Sequence, residues 1–176
     1  MINLFPVICI TQFGPCPPNY LTARKLTAYP EIKSVKNTYR FPFTRQINVQ
    51  LRTPLGTVGT PDQTTVWVTD DAGVIFSQTT NLSLPLLVLS REFKLSDQLT
   101  TPEIQALKIL GSAGHLSTSR LIGQLSGSDV TFTVNATQVL MNAPSSSLQE
   151  LLTRSRIDGK LPHKIDLRFN RPIVTY

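Results

Sequence analysis

Apolar and polar positions alternate with period two through the clearest stretches of the chain. Ile47, Val49 and Leu51 alternate with Gln46, Asn48 and Gln50, the pattern of a half-buried strand. It predicts a strand over Arg45–Arg52, with a second at Val35–Arg40 across Phe41-Pro42-Phe43-Thr44. Ahead of them, Val7–Gln12 is rich in β-branched residues and stops at Gly14-Pro15, as a first strand would. Pro18–Ala28 reads as a helix: Pro18 suits a first turn, Leu21, Lys25 and Leu26 lie at helical spacing, and Tyr29-Pro30 ends it. Pro54, Gly56, Gly59 and Pro61 predict a hinge. Residues 1–57 are thus expected as a small strand–helix–strand–strand domain, and 58–176 as a second domain.

The second part opens with a hairpin pattern, Thr65–Thr69 and Val74–Ser77 about Asp70-Asp71-Ala72-Gly73. Leu84–Leu89 is a continuous apolar run, the mark of a strand buried on both faces. A helix is expected from Thr101 as cap and Pro102 in the first turn, through Ile104, Leu107 and Leu110 to Gly111. Thr118–Leu125 and Val130–Met141 read as strands joined at Ser126-Gly127-Ser128-Asp129. Another helix opens on a capping box, Ser147 with Glu150, buries Leu148, Leu151 and Leu152, and ends at Ile157-Asp158-Gly159. Lys164–Phe169 and Ile173–Tyr176 complete the pattern as two strands around Asn170-Arg171-Pro172. The expected class is α+β, with a larger, mainly antiparallel sheet and two helices in the second domain.

Composition narrows the classes of function. Of the 176 residues only 16% are charged, below the usual quarter, and Thr, Ser, Gln and Asn supply the polarity. The net charge of +6 would suit an anionic partner. With no extended Lys/Arg run and no aromatics interleaved with basic residues, it does not read as nucleic-acid binding. No segment approaches the roughly 20 apolar residues of a membrane-spanning helix. The opening, Met1–Ile10, is apolar but short, is broken by Pro6 and lacks a basic leader; it reads as an exposed end with something ahead of it.

Chemistry-bearing residues are sparse. Cys9 and Cys16 flank a short loop in which Gly14-Pro15 favours a reversal. A disulfide there would stabilise by roughly 2–3 kcal/mol and imply an oxidising compartment; two ordinary thiols are the other reading. No third Cys or His stands near them to complete a metal site. His115 and His163 lie beside Gly114 and Pro162 in loop-like contexts, with no motif that supplies a nucleophile or an orienting carboxylate. Asp70-Asp71 sits in a turn, where turn chemistry accounts for it. No catalytic, cofactor-binding or metal-ligating residue is expected, and no small-molecule substrate. What is left is a strand-rich body ending in a strand, whose edge groups can accept another chain.

Several segments, taken in order, resemble the bacterial cell-division family FtsQ/DivIB. Leu26–Val35, Tyr39-Arg40-Phe41-Pro42 and Ile47–Pro54 are similar to the end of that family's POTRA domain. Val68–Phe76 is similar to its β-domain hairpin, Leu84-Pro85-Leu86-Leu87 to its Leu-Pro strand, and Lys164–Phe169 to its strand with Asp-Leu-Arg-aromatic. Between Cys16 and Tyr29 there is room for one helix where the family has two, so the POTRA domain is shortened; Leu51-Arg52 stands where the family has Glu-Arg. The resemblance implies a non-enzymatic divisome scaffold in septum formation, single-pass in the inner membrane, with this region outside the cytoplasm. It implies partners of the FtsB and FtsL type, captured by strand addition at the C-terminal sheet edge. On that reading Arg168 pairs with an acidic group of the partner, Phe169 buries apolar area against it, and Ile173, Val174 and Tyr176 align with the added strand. An internal pair between Arg168 and Asp166 is the competing reading of the arginine, and core packing that of Ile173 and Val174. Two further classes stay open: a Thr-rich phage or pilus structural protein that assembles with itself, and a POTRA-type chaperone of an outer-membrane transport system.

Overall fold

The computed structural model describes residues 4–10, 26–40, 44–60, 65–80 and 83–176. The protein is α+β, and its chain divides into two compact units, Met1–Thr53 and Pro54–Tyr176.

In the first unit β1 (Leu4–Ile10), β2 (Ile32–Arg40) and β3 (Thr44–Leu51) form a three-stranded sheet in the order β1-β3-β2. The central β3 runs antiparallel to both neighbours. Its period-two pattern does what alternation requires: Ile47 and Val49 are buried, and Gln46, Asn48 and Gln50 are half-buried. Apart from residues 26–28, the helix expected over Pro18–Ala28 lies outside the described residues.

The second unit contains β4 (Gly56–Gly59), β5 (Val66–Thr69), β6 (Ile75–Thr79) and β7 (Leu86–Val88). Helix α1 (Thr101–Ala113) and a single 3-10 turn (Gly114–Leu116) follow. Next come β8 (Ile122–Ser126), β9 (Asp129–Val134), β10 (Thr137–Met141), α2 (Ser147–Ile157), β11 (Lys164–Asp166) and β12 (Ile173–Thr175). These strands make one mixed sheet of nine in the order β12-β11-β10-β9-β8-β7-β4-β5-β6. The pairs β4–β7, β7–β8 and β10–β11 are parallel and the others antiparallel.

Of the stretch expected as a hinge, Pro54 opens the second unit, Pro61 lies outside the described residues, and Gly56–Gly59 is the buried strand β4, inside which the expected boundary at residue 57 falls. Its glycines serve close approach, not flexibility. A Cβ on Gly56 would stand 2.8 Å from Leu107 of α1, and one on Gly123 in β8 would stand 2.7 Å from Leu110. The helix therefore sits down on β4, β7, β8 and β9 through Ala106, Leu107, Ile109, Leu110 and Ala113, all buried. Burial of this kind contributes roughly 25 cal/mol for each Å² of apolar surface withdrawn from water.

Three other local readings are corrected. Val130–Met141 is two strands, because Asn135 and Ala136 both take positive φ (48° and 70°) and turn the chain. Two residues at φ > 0 are what a tight hairpin demands, and Ala is not a residue that announces it. The α1 cap is Thr100, one residue before the expected Thr101; the Thr100 N–H donates to Glu103 Oε2 at 2.7 Å. At α2 the Ser147–Glu150 box is not formed: Ser146 precedes the helix with helical dihedrals and no side-chain cap.

Candidate functional site

A sheet of nine strands has two edges, and here they are finished differently. Along β6, the Ile75 N–H donates to Asp97 O (2.9 Å) and the Ser96 N–H donates to Ile75 O (2.8 Å), while Val74 bridges Gln98. A return of the chain thus covers the start of that edge. At the other end β12 pairs with β11 on one side, and among the described residues no strand lies on its far side. In the smaller sheet, β2 carries Lys33 and Lys36, a usual device against unwanted pairing. β12, Ile173-Val174-Thr175, has neither a charge nor a proline.

The side chains along this edge sort by the pleat. Val174 is half-buried and packs on the apolar core beside Leu167, while Ile173 and Thr175 face outwards. Ile173 is 54% exposed, Phe169 57% and Tyr176 63%. Among the described residues nine large apolar side chains are exposed, and three of them fall within these last eight positions. That concentration is a surface feature, where scattered exposed apolar residues are ordinary.

Arg168 and Phe169 lie in the connection from β11 to β12, not on an edge strand. The side edge of the Arg168 guanidinium donates to Asp166 through Nε (2.9 Å to Oδ1) and Nη2 (2.6 Å to Oδ2), and Nη1 donates to Asp129 Oδ2 at 2.8 Å. The Arg168 backbone N–H also donates to Asp166 Oδ1 at 3.1 Å. These bonds, led by the Asp166 carboxylate, push the Arg168 pKa up. In turn the hydrogen bonds from Arg168 hold the Asp166 carboxyl below its usual range. The Phe169 ring lies 5.5 Å from the guanidinium carbon, within cation–π distance.

Arg168 thus already faces two carboxylates, and the charge of Lys164 also acts on Asp166. The expectation that Arg168 offers a free fork to a partner's acid therefore needs revision: the internal pair with Asp166 is formed, and Asp129 joins it. Asp129, at the start of β9, escapes sequence reasoning because it reads as a turn residue 39 positions before Arg168.

Elsewhere, His115 and His163 are exposed, and among the described residues no group of three or more His, Cys, Asp or Glu is placed to hold a metal ion. Asp70 Oδ1 accepts the N–H groups of Ala72 (3.1 Å) and Val74 (2.8 Å), the turn role expected of it. The disulfide expected between Cys9 and Cys16 falls outside the described residues. Among the described residues no helix is long and apolar enough to cross a membrane. No protein-family model matches the chain, and no curated protein matches it.

Proposed function

We propose that this chain is a non-enzymatic scaffold of the FtsQ/DivIB kind, which captures a partner segment by adding it as a further strand alongside β12. The observation that carries the reading is the uncovered, uncharged edge of β12, bordered by Phe169, Ile173 and Tyr176. Main-chain pairing would supply most of the affinity, and the exposed apolar side chains on and beside β12 would set the choice of partner. The ordered segments that resemble the family favour small coiled-coil partners of the FtsB and FtsL type. They also favour a membrane anchor ahead of this region, which would then lie outside the cytoplasm.

Arg168 takes a different part from the one its resemblance implies. It is a positioning residue that ties the β11–β12 connection to β9, and its Nε, Nη1 and Nη2 already donate to Asp166 and Asp129, which weakens the case for pairing with a partner's carboxylate. Arg168→Glu would place three carboxylates together and disturb the edge itself. Ile173→Glu is the cleaner probe, because the side chain points outwards and its replacement leaves the core untouched. Capture of an FtsB-type ectodomain by the purified chain should fall about tenfold or more with Ile173→Glu, while the unfolding midpoint stays put. Unchanged capture by a folded variant would rule out this edge.

A further inference from the structure

Arg91, Arg120 and Arg168 are each fixed in the second unit, and they differ in what neutralises them. Arg91 donates to both oxygens of Glu103, through Nε (3.2 Å) and Nη2 (2.8 Å), and Arg168 lies on Asp166 and Asp129. Arg120 has only neutral acceptors: Nε donates to Leu84 O at 2.8 Å and Nη2 to Thr57 Oγ1 at 2.6 Å. Thr57 is buried and passes its own hydroxyl hydrogen to Pro85 O at 2.9 Å. These bonds fasten one edge of the guanidinium where β4 and β7 begin.

A guanidinium carries five N–H donors in a rigid plane. With Nε and one Nη2 hydrogen committed, the remaining edge, made of Nη1 and the second Nη2 hydrogen, has no acceptor among the described residues. Among the described residues no buried side-chain nitrogen or oxygen lacks a partner, so Nη1 meets solvent. Partial burial without a nearby carboxylate pushes the Arg120 pKa down, the reverse of Arg168.

Arg120 also walls a cavity of about 330 Å³, together with Ser83, Gly114, Ser117, Thr118 and Ser119, and no Asp or Glu lines it. Ser117 and Ser119 share one hydrogen bond between their hydroxyls (3.2 Å), and Ser117 Oγ accepts the Ser119 N–H (3.2 Å). Whichever hydroxyl donates, the other keeps a hydrogen to give.

We propose that this cavity is an oxyanion site, in which the open edge of Arg120 receives two oxygens of a phosphate or carboxylate group and the 117–119 hydroxyls receive a third contact. Such a fork matches the oxygen spacing of both groups, and the ion pair is strengthened because Arg120 is already partly withdrawn from water. The site belongs to the loops that open β7 and β8, several strands away from β12, and stands whether or not β12 binds a partner.

The test titrates the 15N-labelled chain with sodium phosphate and with sodium acetate, each against chloride at matched ionic strength, following the Arg120 Nε–Hε signal and the amides of residues 117–121. Saturable shifts are expected with at least one anion and none with chloride. Tighter saturation by phosphate identifies a phosphoryl ligand, and tighter saturation by acetate a carboxylate. Arg120→Gln should weaken saturation roughly tenfold or more. Ser119→Glu, which leaves both anchoring bonds of Arg120 in place, should abolish it by supplying an internal carboxylate, and this variant decides should Arg120→Gln fail to fold. Absence of saturation with both anions, or equal saturation in wild type and Ser119→Glu, overturns the proposal.

Discussion

Arg168 Nη1 reaches Asp129 Oδ2 at 2.8 Å although 39 residues separate them, so one side chain ties the connection beyond β11 to the first residue of β9. Between those strands lies β10, paired on one side with β9 and on the other with β11. Leu167 donates its N–H to Leu140 O at 2.8 Å, so backbone and side chain fasten the same corner. β12 hangs from this corner by three register pairs, Lys164–Thr175, Ile165–Val174 and Asp166–Ile173, and its presentation depends on Arg168.

Removing that tie should loosen the edge before it unfolds the domain. Arg168→Ala is expected to speed amide exchange across β11 and β12 with little change in α1, as hydrogen-exchange mass spectrometry would report. Asp129→Asn should reproduce part of the effect, and the double variant should cost less than the sum of the two.

The same tie predicts a pH dependence. Asp166 titrates below its ordinary range because Arg168 holds its ionised form. A carboxyl whose folded pKa is depressed contributes stability above its unfolded value, about 3.9 for Asp, and loses it as pH falls through the folded value. The stability difference between wild type and Arg168→Ala, read from urea unfolding, should be full at pH 6 and shrink below about pH 4.

Two glycines test the packing of α1. Gly123→Ala places a methyl 2.7 Å from Leu110 and is expected to destabilise by about 1–3 kcal/mol. Gly111→Ala, with nothing within 4 Å, should stabilise by about 0.5–1 kcal/mol through helix propensity. Urea midpoints moving in opposite directions would meet this expectation.

The β9–β10 turn offers a third comparison. Ala136 holds φ at 70°, a conformation that costs an L-residue with a Cβ roughly 1–2 kcal/mol. After the larger backbone entropy of glycine is offset, Ala136→Gly should raise stability by about 0.5–1 kcal/mol, measured as a higher thermal midpoint.

How far the sequence reveals these features depends on the range of the forces involved. The alternation in β3 and the Asp70–Gly73 turn are legible because pleat and turn chemistry act between near neighbours; the last two strands are legible in place but not in extent, since the strand expected to reach Phe169 ends at Asp166. The break at Asn135-Ala136 is not, since pairing of β9 with β10 across Val134–Thr137 and Phe132–Val139 imposes a backbone that Ala does not favour. Gly56 read as a hinge because a glycine needed for close approach and one needed for freedom look alike until Leu107 is in place. At the candidate edge, Ile173 and Tyr176 entered through the family resemblance and their place in the expected last strand. The Arg168–Asp129 tie and the uncompensated Arg120 depend on contacts between residues far apart in sequence, and no local pattern announces them.

The proposed function turns on whether β12 takes a neighbour. The direct measurement is amide hydrogen exchange at Ile173, Val174 and Thr175, alone and saturated with an FtsB-type ectodomain. Strand addition predicts that these amides slow markedly on binding, while β6 at the opposite edge is unchanged. A complex that leaves β12 exchanging at its free rate, or no complex at all, would contradict it.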